Sequence, residues 1–159
     1  EYGLTINGSV AMADLIYSQQ GRLALETLWR SYMEIAEKYN LPFLATTPTR
    51  RANKQQVIQA GYDEAIIEDN VRFLRKIKET SNIEMYIGGL MGCKGDAYTG
   101  TGALNIEEAH DFHHWQAQLF KLAKADFLYA GIMPVLAEAM GMARAMSDTG
   151  IPYIISCTI

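Results

Sequence analysis

Two spacings of apolar residues alternate along this chain, and between them they set out its elements. From about residue 21 to residue 39, Leu25, Leu28, Trp29, Tyr32, Ile35, Ala36 and Tyr39 recur at steps of three and four. That spacing predicts an amphipathic helix with one apolar stripe, ended by Asn40 and Pro42. The run at residues 42–47, PFLATT, is short, apolar and bounded by turn formers, which predicts a buried strand. Ile67, Val71, Leu74 and Ile77 share the face of a second helix, and Thr80-Ser81-Asn82 closes it before another apolar run at residues 83–90. Asn105, with Glu108 three residues on, predicts an N-terminal cap for a helix that turns Phe112, Trp115, Leu119 and Leu122 inward. Residues 126–132 are strand-like. Leu136, Ala139, Met140, Ala143 and Met146 then mark a helix ended by Gly150, and residues 151–159 form a β-branched final strand.

The order is therefore a helix, three strand-helix units and a closing strand. Near-continuous apolar strands separated by helices predict an α/β fold with a parallel sheet, either doubly wound or part of a (β/α) barrel. A length of 159 residues with 49% hydrophobic and 20% charged composition fits a single domain with one core. The net charge of -4 is scattered along the chain, which leaves no basic footprint for nucleic acid. No apolar run approaches the roughly 20 residues of a membrane span. The first residues lack a basic segment followed by an apolar one, so a cytoplasmic location and no membrane partner are expected. Cys93 and Cys157 stand far apart and outside any Cys-x-x-Cys spacing, which predicts reduced thiols and not a disulfide or a zinc knuckle.

Candidate chemistry concentrates between residues 86 and 102, YIGGLMGCKGDAYTGTG, where a strand runs into a glycine-rich loop. Gly89, Gly92 and Gly95 could bring backbone N–H groups close to a small-molecule substrate, or could serve a tight connection. The loop is not a Walker sequence, because Lys94 is followed by Gly95. Lys94 and Asp96 are its only charges and could orient a ligand. Thr47 and Thr49 fall at the C-terminal rim of a strand, where barrels place their active sites, although a cap for the next turn explains them too. Arg50 and Arg51 lie on the same rim and could take an anionic group or form surface ion pairs. His110, His113 and His114, with Glu107 and Asp111, have helical metal spacing, but the helix is aromatic-rich and expected to pack on the sheet, so no metal is expected. Cys157 reads as a small thiol at a strand end.

Several of these segments resemble one family in order. TTPTRRAN (residues 46–53) resembles the strand-end segment of the homocysteine S-methyltransferases, a group that includes betaine- and cobalamin-dependent methionine-forming enzymes. GGLMGCKGDAY resembles that family's glycine loop, and EEAHDFHHWQAQLFKLAKADFL its next helix and strand, including His113 and Gln116. Pro134 with Glu138-Ala139, then TGIPYIIS, continue the resemblance, which runs from about Gly21 onward. It implies an eight-stranded (β/α)8 TIM-type barrel, a fold of roughly 250 residues. This chain would then be a partial barrel of four parallel strands with outer helices, carrying strands two to five, with strand one before Glu1 and strands six to eight after Ile159. The implied activity is methyl transfer to a thiol in the full-length parent, in methionine biosynthesis. Family zinc is implied on cysteines beyond strand five, which have no counterpart here, so no cofactor is expected in this chain. The substrate site is expected at Thr47, Thr49, Gly89, Gly92 and Asp96.

Two departures from the family pattern accompany the resemblance. The family's substrate-binding Glu at the end of its fourth strand falls on Gly131, and its Thr-Asn-Thr reads Thr47-Pro48-Thr49. These leave open a zinc-free divergent enzyme or binding protein, and an inactive half barrel. Strands missing on both sides predict a homo-oligomer that covers an inner layer of Val, Ile, Leu and Met.

Overall fold

A computed structural model describes residues 3–158. A 3-10 segment, Met12–Tyr17, leads into α1 (Gln19–Lys38), β1 (Phe43–Thr46), α2 (Lys54–Gln59), α3 (Ala65–Glu79) and β2 (Met85–Met91). Then follow α4 (Ile106–Leu122), β3 (Phe127–Met133), α5 (Leu136–Ser147) and β4 (Tyr153–Cys157). The strands form one sheet in the order β1-β2-β3-β4, every pair parallel, with Thr46 opposite Gly88, Met91 opposite Ala130 and Met133 opposite Cys157. All four expected strands are present, with ends shifted by one or two residues.

The sheet has two unlike faces. Ala45, Met85, Ile87, Met91, Leu128 and Ala130 are buried in one core with Met33 of α1, Leu74 of α3, Phe120 of α4 and Met142 of α5. On the opposite face Leu44, Tyr86 and Ile154 are 54%, 40% and 46% exposed. Sequential strand order with the helices on one side is the arrangement of a curling barrel wall; a doubly wound sheet carries helices on both faces. The fold is thus the expected partial barrel of four parallel strands with outer helices. Its inner layer is more aromatic than expected, since Tyr86, Phe127 and Tyr129 alternate with the core-facing positions of β2 and β3. No helix among the described residues is long and apolar enough to cross a membrane.

Local chemistry explains where the elements start and stop. Ser18 accepts the Gly21 N–H at the start of α1, Asn53 accepts from Gln56 at α2, and Asn105 with Glu108 forms the expected reciprocal capping box at α4. Gly150, at φ +74°, follows α5. The 3-10 segment and α2, at six residues each, are too short to leave a helical period in the sequence.

Three helices sit differently from expectation. In α4 the buried side chains are Ala109, His113, Gln116, Ala117 and Phe120, while Leu122 is 75% exposed. The helix can turn two polar residues inward because both find buried partners. In α1, Gly21, Ala24, Leu25, Met33 and Ala36 face the core, and Tyr32, Ile35 and Tyr39 are exposed. In α5, Leu136 and Met140 point outward and Glu138 points inward. The expected face of α3, with Ile67, Val71, Leu74 and Ile77, is buried throughout.

Candidate functional site

Because the strands are parallel, the segments that follow β1, β2 and β3 all leave from one edge of the sheet. The first is a threonine knot. The Leu90 N–H donates to Thr47 Oγ1 at 3.1 Å and Thr49 Oγ1 donates to the Leu90 carbonyl at 2.8 Å. The 2.6 Å contact between the hydroxyls must then run from Thr47 to Thr49, because the Thr49 proton is already committed. Both hydroxyls are fully buried, and both protons are used inside the fold. Gln116 of α4 donates to the Thr49 carbonyl at 3.0 Å, which pins the Thr47-Pro48-Thr49 corner from the helix side.

The second feature is Glu138, the innermost polar residue of α5. Its Oε1 accepts from the Lys94 N–H at 2.7 Å and from His113 Nε2 at 3.0 Å, and its Oε2 accepts from the Leu104 N–H at 3.3 Å. Glu138 and His113 are both essentially without solvent contact. Burial alone would raise the Glu138 carboxyl, but the hydrogen bonds from His113, Lys94 and Leu104 outweigh it and hold the group below the ordinary carboxylate range. The ionised carboxylate can only accept, so His113 carries its proton on Nε2. One side chain thus ties both ends of the glycine loop to α4 and α5.

Between these anchors the loop folds on itself. Asp96 Oδ1 accepts from the Tyr98 and Thr99 N–H groups and from Thr99 Oγ1, and those bonds, the Thr99 N–H first, hold its carboxyl below the usual value. Gly92 lies where a Cβ would come within 2.6 Å of Arg50 Cγ, so the loop reaches the β1–α2 connection only without a side chain. Gly89 answers to packing from the other side, where a Cβ would meet the Phe120 ring at 2.5 Å. Arg50, Arg51, Gln56, Lys94, Asp96 and Tyr98 line a cleft of about 420 Å³ between the two connections. The structure therefore brings Gly92 and Asp96 together with Arg50, Arg51 and Lys94, sets Thr47 and Thr49 beneath them, and turns Gly89 toward the helices.

At the end of β3 the pairing with β4 slips between Ala130 and Met133, and Ile132 adopts φ +58°. A β-branched residue in the left-handed region is strained, and such strain gathers at functional rims. Ser156 Oγ accepts the Ile132 N–H at 3.1 Å and holds the kink. Gly131 lies beside it, where a Cβ would meet Leu90 Cδ1 at 3.3 Å on the inner face.

Both cysteines are free thiols. Burial, and next the Glu138 charge, push the Cys93 thiol up, which keeps it protonated and a poor nucleophile or metal ligand. Among the described residues one group of three donors lies within metal-binding reach, His110, His114 and Asp148, all within 4.8 Å of one another. Of the acids spaced with the histidines in sequence, Asp111 meets His110 Nδ1 at 3.1 Å while Glu107 meets Arg144, and the third donor of the group, Asp148, comes from the end of α5. His113 turns away to Glu138. The group contains no cysteine and sits on the α4–α5 seam, away from the threonine knot and the glycine loop. A thiolate metal centre of the kind the resemblance implies therefore does not fit the residues of this chain.

The sequence matches the family model described as homocysteine S-methyltransferase over residues 6–159. The chain belongs to the homocysteine S-methyltransferase family. The metallated form of the homocysteine methyltransferase MmuM from Escherichia coli has a similar fold, with a TM-score of 0.78 and 19% identity over 99% of this chain and 58% of that one. The oxidized form of the same protein gives a TM-score of 0.76 and 19% identity over 97% of this chain and 56% of that one. A comparison with curated protein sequences finds no match. The chain thus spans about 58% of the length of the solved methyltransferase it resembles. Within the family's barrel the threonine knot, the Glu138 hub and the glycine loop lie at the C-terminal ends of strands, the face on which such barrels carry out their chemistry.

Glu138 was the principal residue that sequence reasoning passed over as a site builder. Its signal was present. It shares a helical face with Met142 and Ala145, and a carboxylate on an apolar stripe must be paired.

Proposed function

We propose that the full-length protein transfers a methyl group to the thiol of homocysteine, forming methionine in the cytoplasm. The observation that carries this reading is the family match over residues 6–159, realised as sequential parallel strands with a pre-bonded rim at their C-terminal ends. In this reading Glu138 and His113 fix the glycine loop before substrate arrives, which removes ordering cost from binding. Thr47 and Thr49 hold the β1 corner from below. Gly92 and Asp96 shape the loop that borders the substrate, and Gly89 lets that loop's strand lie close on α4. When bound, a thiol-activating metal would favour the thiolate over the thiol. The residues of this chain do not furnish its site.

One observation favours a changed acceptor or donor on the same scaffold. Gly131 offers no carboxylate where the family pattern places one for the substrate ammonium, so recognition must rest on other groups of the rim.

The test is an assay of the full-length protein with homocysteine and a panel of methyl donors that includes betaine. Protein-dependent loss of free thiol with appearance of methionine is the expected result. Homocysteine that remains unmethylated with every donor, at protein concentrations that saturate binding, would overturn the proposal.

A further inference from the structure

We infer that the cleft between the β1–α2 and β2–α4 connections is a subsite for an anionic oxygen group, a carboxylate or a phosphate, carried by the ligand. The inference rests on reading the C-terminal rim as the substrate face, and it does not depend on the reaction being methyl transfer.

The first ground is how the chain distributes its guanidinium groups. Arg30, Arg72 and Arg144 pair with carboxylates. Arg22 and Arg75 donate to backbone carbonyls. Among the described residues Arg50 and Arg51 do neither, and both line the same cleft of about 420 Å³. Lys94, across the cleft, also has no carboxylate partner there; its Nζ lies 5.6 Å from the Phe112 ring centroid. Three cations thus face one concavity without an ion-pair partner, in a chain of net charge -4. Guanidinium forks recognise carboxylate and phosphate through paired N–H donors, which gives an oxyanion both charge and geometry.

The second ground is what the one lining carboxylate does. Asp96 Oδ1 accepts from Tyr98 N–H, Thr99 N–H and Thr99 Oγ1, so that oxygen is turned into its own loop. Asp96 shapes the cleft and does not reach the arginines within ion-pairing distance.

The third ground is that the cleft is built. Arg50 packs its stem against Gly92, where any Cβ would collide with it. The Lys94 backbone is held by the buried Glu138 carboxylate, and α2 begins from the buried Asn53 cap on the facing wall. The cations are therefore carried on anchored backbone. Tyr98, largely exposed at the mouth, offers a flat apolar wall to the body of a ligand. The absence of a carboxylate at Gly131 and the cations here point the same way, toward a ligand held more by its negative group than by an ammonium.

The test titrates this chain at low ionic strength with inorganic phosphate and, separately, with glutarate, following backbone amide shifts and heats of binding. Saturable binding of at least one probe is expected, with shifts at residues 50–56 and 93–98; the tighter probe identifies the group. Arg51→Gln with Lys94→Gln changes two exposed side chains, of which only Lys94 touches the fold, over the Phe112 ring, and should weaken binding about tenfold or more. Lys38→Gln, on the far end of α1, should leave it unchanged. The inference is overturned if neither probe saturates, if the double variant binds as tightly as the parent, or if Lys38→Gln weakens binding equally. Phosphate or glutarate binding that persists when the methyl-transfer assay fails would retain this subsite and remove only the reaction.

Discussion

Replacing Glu138 by alanine should destabilise the chain by about 3–5 kcal/mol, the range found when one partner of a buried ionic hydrogen-bonded pair is removed. The carboxylate serves three donors at once, the N–H groups of Lys94 and Leu104 and His113 Nε2, and the last is buried with it and has no water to turn to. Alanine removes the acceptor and leaves a void among packed atoms, so loss of hydrogen bonding and loss of contacts add. Chemical denaturation measures the cost. Amide exchange should localise it, with protection lost first at Lys94 and Leu104. Glu138→Gln keeps the shape and part of the acceptor, and should cost less.

The same group sets a pH response. Its folded-state pKa lies below the ordinary value, so its contribution to stability is fully present above about pH 4.3. That contribution is lost as pH falls through the lower folded value, because the protonated acid no longer accepts from three donors. Stability should decline on acidification in that window, and Glu138→Gln should flatten that part of the profile.

The second large effect concerns association. Leu44, Tyr86 and Ile154 stand exposed on the inner face, with Leu90 and Tyr129 half-buried between them, and β1 and β4 each have one side without a strand partner among the described residues. Fully covering a large apolar side chain is worth about 1.5–3 kcal/mol, and these five, already about half covered, retain roughly half of that, which reaches the lower estimates of the association cost. This chain by itself should therefore self-associate at low micromolar concentration, most simply as a two-fold dimer through that face. Light scattering reads the mass directly. Leu44→Lys with Ile154→Lys places one charge at each edge of the patch and should return it to the monomer, while a monomeric parent chain would remove the prediction.

Much of the fold was legible because its strands are short apolar runs and α3 has an unbroken stripe. Asn105 and Glu108 announced the start of α4 correctly for the same reason, since capping is chemistry between near neighbours. The rotation of α4 was not legible. Of the expected face Phe112, Trp115, Leu119 and Leu122, only Trp115 and Leu119 pack against the core, partly buried, because the helix turns Gln116 and His113 inward to partners at Thr49 and Glu138, residues 67 and 25 positions away. Likewise Thr47 and Thr49 were readable as rim residues from their place after a strand, but their commitment to Leu90 depends on the register of β1 against β2. The glycine loop was the most legible part of the site. What it encloses, two unpaired arginines and a lysine facing each other, appears only when the β1 and β2 connections are brought side by side.

The proposed methyl transfer requires the C-terminal rim of this sheet to be the face that binds substrate. Backbone amide shifts on titration of the labelled chain with homocysteine test it most directly. Shifts should gather at residues 46–53, 88–96 and 131–135, and weaken when Glu138→Gln loosens the loop. Shifts confined to the outer helices, with those three segments unmoved at saturation, would contradict it.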